Sequence, residues 1–362
     1  MNRLTAIGLA SLVAYGLLIA SKYTGVVSAA RDDRATSAAS AIESSPDNSG
    51  VQAVSAEPHQ STLASLPVPV PRAQASRLSG VALEFRTTRD LKSFADGIAA
   101  RAPNLTGDER YYLAKTLEEC LFATTVNEDL AAYSAKQKRQ FLASLTTGDA
   151  NNEKRIAAYE AADNTARCVG FQNARISQKD IDALYRAAAQ QGDPRAQARI
   201  VTAELSKSLG KSDPSAPSQP MQQSNDQLSA LINLLESGDP EAMILVGQVL
   251  AQSPVREQLR IGPNGESPEA SAFLGAFTLV ACDLGQDCTR AEMNRDLLQA
   301  CAFANYCNPQ SFEEFYRDFL ASPFTYSQAM RYRSVIHSAL SEHNWALIGL
   351  TPKLTQQSRP VK

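Results

Sequence analysis

The tripeptide Gly-Asp-Pro occurs twice, as Gly192-Asp193-Pro194 and Gly238-Asp239-Pro240, each time behind an apolar stripe at helical spacing. Few tripeptides restrict a backbone more. Glycine adopts the left-handed conformation that ends one helix, aspartate caps the next with its carboxylate, and proline fills that helix's first turn, where no N–H is needed. The stripes are Ile181, Leu184, Tyr185 and Ala188 before the first copy and Leu228, Leu231, Ile232 and Leu235 before the second. Each copy therefore predicts a tight helix–turn–helix hairpin, with these six Gly, Asp and Pro residues as its junctions.

The two glycines lie 46 residues apart, and part of that distance is the Pro/Ser/Gln-rich stretch 207–222, KSLGKSDPSAPSQPMQ, read as a flexible insertion. Without it the unit shortens to roughly 30–35 residues, the length of a helical-hairpin repeat. Helical periodicity extends from Phe85 almost to the end. Thr88 is placed to cap a helix carrying Leu91, Phe94 and Ile98, and Pro103 closes that segment. Thr106 and Glu109 form a capping box ahead of Leu113, Leu117, Cys120 and Leu121. Further helices are expected at about 127–145 and 152–169. Alternating β-branched runs are almost absent. The fold class is all-α: an irregular array of antiparallel helical hairpins over 80–350, like an α/α superhelix, stapled by disulfides.

Six cysteines supply the staples: Cys120, Cys168, Cys282, Cys288, Cys301 and Cys307. They allow 15 pairings. One arrangement joins Cys120 to Cys168 and closes two local loops, Cys282–Cys288 and Cys301–Cys307. Another joins Cys282 to Cys301 and Cys288 to Cys307, clasping two helices. Zinc favours closer pairs with histidine nearby, so the cysteines are read as disulfides and no metal ligand is assigned.

Disulfides persist outside the reducing cytoplasm, and the N-terminus agrees. Arg3 precedes a 17-residue apolar run, Leu4 to Ala20, the pattern of a signal peptide or signal anchor. Val27-Ser28-Ala29 offers a cleavage site, whereas Lys22 and Tyr23 suit a membrane interface and tip residues 1–29 toward a retained anchor. Residues 30–79, rich in Ala, Ser and Pro, read as a disordered spacer, and 351–362 as a disordered tail. A net charge of −3 gives no reason to expect nucleic acid.

No catalytic pattern in the chain is complete. Leu209-Gly-Lys-Ser212 ends like a phosphate-binding loop but has Leu205 where the motif needs glycine. His59 falls in the spacer. His337 and His343 sit about 120° apart on a helix, so they do not share a metal-binding face. His343 with Glu342 is a weak acid/base candidate beside the simpler reading of a surface histidine. Asp283 and Asp287 lack the pattern of a calcium loop and are assigned to capping or solvation. Glu118–Glu119 and Glu313–Glu314 are adjacent on helices and point about 100° apart. No catalytic or cofactor-binding residue is assigned, and no cofactor is implied.

Between Phe303 and Trp345 lie 10 of the 24 aromatic residues, and Phe312, Phe315, Tyr316 and Phe319 follow i, i+3, i+4, i+7 spacing. Core packing is the default expectation; the second is a peptide-binding groove anchored by Phe312, Tyr316, Arg331 and Arg333.

Residues 188–196, AAQQGDPRA, and 235–242, LESGDPEA, resemble the junctions of Sel1-like or tetratricopeptide-like α/α repeats, over 178–252, although most consensus glycines, alanines and tyrosines are missing. The chain as a whole resembles a group of proteobacterial cell-envelope proteins, through its apolar start, Ala/Leu-rich helices and the segment ACDLGQDC, 281–288. The repeat resemblance implies a non-catalytic scaffold that binds an envelope protein or peptide. The expected place is the periplasm, tethered to the inner membrane by the N-terminal segment, or secreted if that segment is cleaved. The alternatives are an enzyme acting on cell-wall glycan and a membrane-tethered steric folding helper.

Overall fold

The computed structural model describes residues 79–126, 129–210, 225–252, 255–262, 265–290 and 294–351. The expected N-terminal anchor, His59, nearly all of the spacer and tail, and residues 211–222 of the insertion lie outside the described residues. No described helix is long and apolar enough to cross a membrane.

Thirteen α-helices are described: α1 (Gly80–Thr87), α2 (Leu91–Ala99), α3 (Gly107–Cys120), α4 (Leu130–Ala143), α5 (Asn152–Ala162), α6 (Gln178–Gln190), α7 (Pro194–Gly210), α8 (Asn225–Glu236), α9 (Pro240–Leu250), α10 (Ala270–Asp283), α11 (Arg295–Ala304), α12 (Phe312–Phe315) and α13 (Pro323–Ser341). Among the described residues, β pairing is limited to two isolated bridges. The fold is all-α.

Local chemistry sets the boundaries. The N-terminus of α3 carries the expected capping box, with Thr106 and Glu109 each bonding the other's backbone. Asp90, not Thr88, caps α2, because its carboxylate reaches the N–H groups of Lys92 and Ser93 while the Thr88 hydroxyl is held by Asp90's own backbone. The helix expected over 152–169 stops at Ala162. There Asp163 accepts the Thr165 N–H at 2.8 Å, and the chain re-forms as a 3₁₀ segment, Ala166–Phe171, that carries Cys168. At the other junction α7 continues to Gly210, four residues into the stretch expected to be loop.

The Gly-Asp-Pro junctions form as their chemistry requires. Gly192 and Gly238 have φ of 82° and 63°. After α6, Gly192 N–H bonds Ala189 O and Asp193 N–H bonds Ala188 O, a Schellman ending. After α8, the buried Ser237 hydroxyl takes over the second bond, accepting from Asp239 N–H and donating to Leu234 O. Asp193 and Asp239 each cap the following helix through two backbone N–H groups.

Packing runs α3 on α6, α6 on α7, α7 on α8 and α9, α9 on α10, and α10 on α13. Two main cores result, and α7 serves both: Ala196 belongs to the N-terminal core, while Ala198, Val201 and Leu205 belong to the C-terminal one. A third cluster departs from nearest-neighbour stacking. α5 packs on α11, with Phe141 and Tyr159 stacked at 4.3 Å and Arg155 Nε donating to Ala302 O at 3.0 Å. Helices far apart in sequence therefore meet, and the array is cross-tied rather than open. Cysteines pair as Cys120–Cys168, Cys282–Cys288 and Cys301–Cys307, the first of the two arrangements above.

The α9–α10 contact depends on glycine. A Cβ on Gly247 would stand 2.5 Å from both Cβ and Cγ of the fully buried Phe277. Gly247→Ala gains about 1 kcal/mol of helix propensity, but overpacking at so fixed a neighbour costs up to about 3 kcal/mol. The expected net loss of about 1–2 kcal/mol is read from the urea midpoint.

Candidate functional site

The densest group of ionisable side chains lies where α3, α6, α7 and α9 meet. Arg195 and Glu241 hold equivalent places, each directly after the proline of its junction, and both converge on Tyr111 of α3. The Tyr111 hydroxyl donates to Glu241 Oε1. Its ring carries the Arg195 guanidinium at 4.1 Å, and Tyr112 lies 4.8 Å from the same group. Arg195, only 1 % exposed, donates to Asp193 and Asp108 at 2.5 Å each. Lys115 Nζ spans both Glu241 oxygens at 3.0 and 3.1 Å. Beside them, Glu118 accepts from Tyr185 at 2.8 Å and from Arg199 at 2.9 Å.

Three cations and four carboxylates thus interlock, and burial and pairing together shift Glu241, Tyr111, Lys115 and Arg195. Burial alone would raise the Glu241 carboxyl, but Lys115, Arg199 and the Tyr111 hydroxyl together hold it down at about 2. Burial, then the Glu241 charge, pushes the Tyr111 phenol well above its usual range. Burial would lower Lys115 and Arg195, yet Glu241 and Asp193 respectively more than offset it, so both cations are raised. At neutral pH these groups are locked in their ordinary charge states, whereas acid–base catalysis works best with pKa values near the operating pH.

In comparisons with known proteins, no family model, curated protein or solved structure matches this chain.

The C-terminal aromatics divide in a way their spacing did not predict. Phe315 and Tyr316 are buried, and the Tyr316 hydroxyl donates to Ser271 O at 3.0 Å. Phe312 is half-buried against the same core. After α12 the backbone forms a π turn, Tyr316–Leu320, closed by Ala321 N–H to Tyr316 O at 2.8 Å. A π turn carries more residues per turn than an α-helix, so Phe319 rotates off the stripe. Phe319, Leu320 and Phe324 are left 36 %, 42 % and 67 % exposed within six positions. Tyr306 stacks on Phe319 at 4.1 Å. Of the four residues named for a groove, Tyr316 lies in the core and Arg333 is engaged by Asp283 and Glu313; Arg331 is exposed and bonds Gln328.

Other candidates also find partners. His343 meets Glu236 rather than Glu342, through Nδ1, and Trp345 Nε1 donates to the same carboxylate at 2.6 Å. His337 contacts Asp283 at 2.7 Å, and Asp287 pairs with Arg86. These aspartates therefore also hold distant helices, Asp283 while it stays exposed to solvent. Glu118 and Glu119 do point to different partners, Glu119 accepting from Asn164 at 2.8 Å. Among the described residues no acidic, histidine or cysteine cluster suits a metal.

Sequence reasoning missed Tyr111, Lys115, Arg195 and Glu241. The available signal was the residue after each Gly-Asp-Pro, arginine in one copy and glutamate in the other, a complementary pair at matching repeat positions.

Glu241 yields a pH prediction. Its carboxyl is depressed from 4.5 to about 2 on folding. Its contribution is therefore complete above the unfolded value and fades as pH falls through 4.5 toward 2. The shift corresponds to about 3 kcal/mol, reduced to about 2 because the side chain keeps 23 % accessibility. Urea unfolding at pH 6 and pH 3 should show Glu241→Gln less stable than wild type at pH 6, with about 1 kcal/mol less stability lost on acidification. At pH 3 the folded-state carboxyl is still ionised, so only part of the contribution is gone.

Proposed function

We propose that this protein is a non-catalytic interaction scaffold of the bacterial periplasm, tethered to the inner membrane by its N-terminal segment, that binds an envelope protein or peptide. The observation that carries this is the apolar ridge of Phe319, Leu320 and Phe324. The π turn carries Phe319 and Leu320 outward, and Phe324, in the first turn of α13, is exposed as well, while the neighbouring Phe315 and Tyr316 are buried. Large apolar and aromatic groups held on a rigid helical frame are typical anchors of protein interfaces. The interlocked charge cluster is further support, since Glu241, Lys115 and Arg195 are held in their ordinary charge states at neutral pH. Three paired disulfides, with no free cysteine, suit an oxidising compartment.

A photoreactive residue placed at 319 or 324 in intact cells should give a discrete adduct, whereas one at the exposed helical position 186 should not. Equal labelling at all three positions would remove the ridge from consideration. A second reading, an enzyme acting on wall glycan, is favoured by one specific contact, His343 beside Glu236. Release of soluble fragments from purified wall material by wild type, and its loss in His343→Ala, would replace the scaffold reading with that one.

A further inference from the structure

The Cys282–Cys288 bond closes a short loop whose two aspartates reach in different directions. Asp283, the last residue of α10, holds Arg333 of α13 at 2.8 Å and His337 at 2.7 Å. Asp287, within the loop itself, pairs with Arg86 of α1, 201 residues away. The loop is fastened on both sides: Gln286 N–H bonds Ala281 O at 2.9 Å, Phe312 N–H bonds Cys288 O at 2.7 Å, and Thr289 bridges to Ser311. It therefore joins the first described helix to the C-terminal core.

Its disulfide is also the most accessible of the three. Cys120, Cys168 and Cys301 are 0 % exposed and Cys307 2 %, whereas Cys288 is 8 % exposed and Cys282 only half-buried. Thiol–disulfide exchange needs a thiolate to reach a sulfur, so access ranks this bond first.

We propose that Cys282–Cys288 is a redox-cleavable clasp that sets how firmly α1 is held to the C-terminal half of the domain. The reductant is a dithiol, of protein or small-molecule origin. Its thiolate attacks the Cys282 sulfur, the S–S bond breaks, and Cys288 leaves as a thiolate that takes up a proton. The second thiol of the reductant loses its proton and attacks the mixed disulfide, releasing Cys282 as a thiol. Two electrons have passed, and the reductant is now a disulfide. Asp287 then sits on a loop held by hydrogen bonds alone, Gln286 to Ala281 O, Asn294 Nδ2 to Asp287 O and Phe312 to Cys288 O, and its grip on Arg86 weakens. Asp283 keeps its contacts because the last turn of α10 and both of its partners still position it. The release is one-sided: α1 loosens and α13 does not. Phe85 stays in the N-terminal core, and Arg167 still donates to Phe85 O and Thr88 O, so α1 opens locally rather than detaching.

The test uses the full-length oxidised protein, titrated with dithiothreitol under native conditions, then alkylated and mass-mapped, with hydrogen exchange followed in parallel. Cys282 and Cys288 should be alkylated before the other four cysteines. Amides of residues 80–87 should then exchange about two- to fivefold faster, the scale of one partly exposed ion pair, with residues 323–341 unchanged. Cys282→Ser with Cys288→Ser should reproduce that acceleration without reductant, and Asp287→Asn should do so with the disulfide intact. Earlier or simultaneous reduction of another pair overturns the proposal, as does wild-type exchange of α1 in Asp287→Asn, a variant that does not depend on the double-serine protein folding.

Discussion

The contact on which the rest depends is the one Tyr111 makes with Arg195 and Glu241 at once. Two hairpins present opposite charges at the same repeat position, and one phenol accommodates both, its face to the cation and its hydroxyl to the carboxylate. An arginine almost wholly removed from water is tolerable only because Asp193 and Asp108 accept its hydrogen bonds while two aromatic faces cover it. Asp108 of α3 bonds Arg195 of α7, and Tyr111 and Lys115 of α3 bond Glu241 of α9, so the register of α3 against α7 and α9 is specified by polar matching as well as by apolar fit. The network lies between the two main cores, and α7, which carries both Arg195 and Arg199, contributes to each of them. Displacing this helix would disturb charge pairing and packing together.

Around that centre, the molecule is tied at longer range than a simple repeat stack. In a stack each unit touches its neighbours, and stability grows by local increments. Here α5 meets α11, Arg86 reaches Asp287, and Cys120 is bonded to Cys168. Such ties make the frame rigid, and a rigid frame gives meaning to side chains that remain outside it. Phe319 and Leu320 are exposed where the backbone widens for a single turn, not because the local sequence turns polar, and Phe324 follows them in the first turn of α13. Phe315, in the ordinary α-helical turn just before, and Tyr316, the first residue of the widened turn, are both buried.

The fold was legible in the sequence wherever short-range stereochemistry decides it. The Gly-Asp-Pro junctions, the Thr106–Glu109 capping box and the helical stripes all depend on residues within a turn or two of each other. Boundaries failed where two local options competed: Asp90 outbid Thr88 as a cap, and Asp163 closed a turn in what reads as continuous helix. The candidate site was harder to see. Tyr111, Lys115, Arg195 and Glu241 span 130 positions, and nothing local to any of them indicates the others. The i, i+7 relation of Phe312 and Phe319 was misleading because it assumes an unbroken α-helix.

By itself the sequence determined that this chain is helical, where its two clearest hairpins turn, and that its cysteines are even in number and suited to pairing. Those properties follow from backbone conformational preference and from composition, which neighbouring residues fully express. Tertiary structure alone decided which charges meet, that α5 and α11 close on each other, which aromatics enter the core, and that Asp283 and Asp287 serve opposite ends of the domain. The physical reason is the same in each case: a side chain's partner, and so its exposure and its charge state, is set by whatever packing brings within a few ångströms, and packing joins residues that the chain holds far apart.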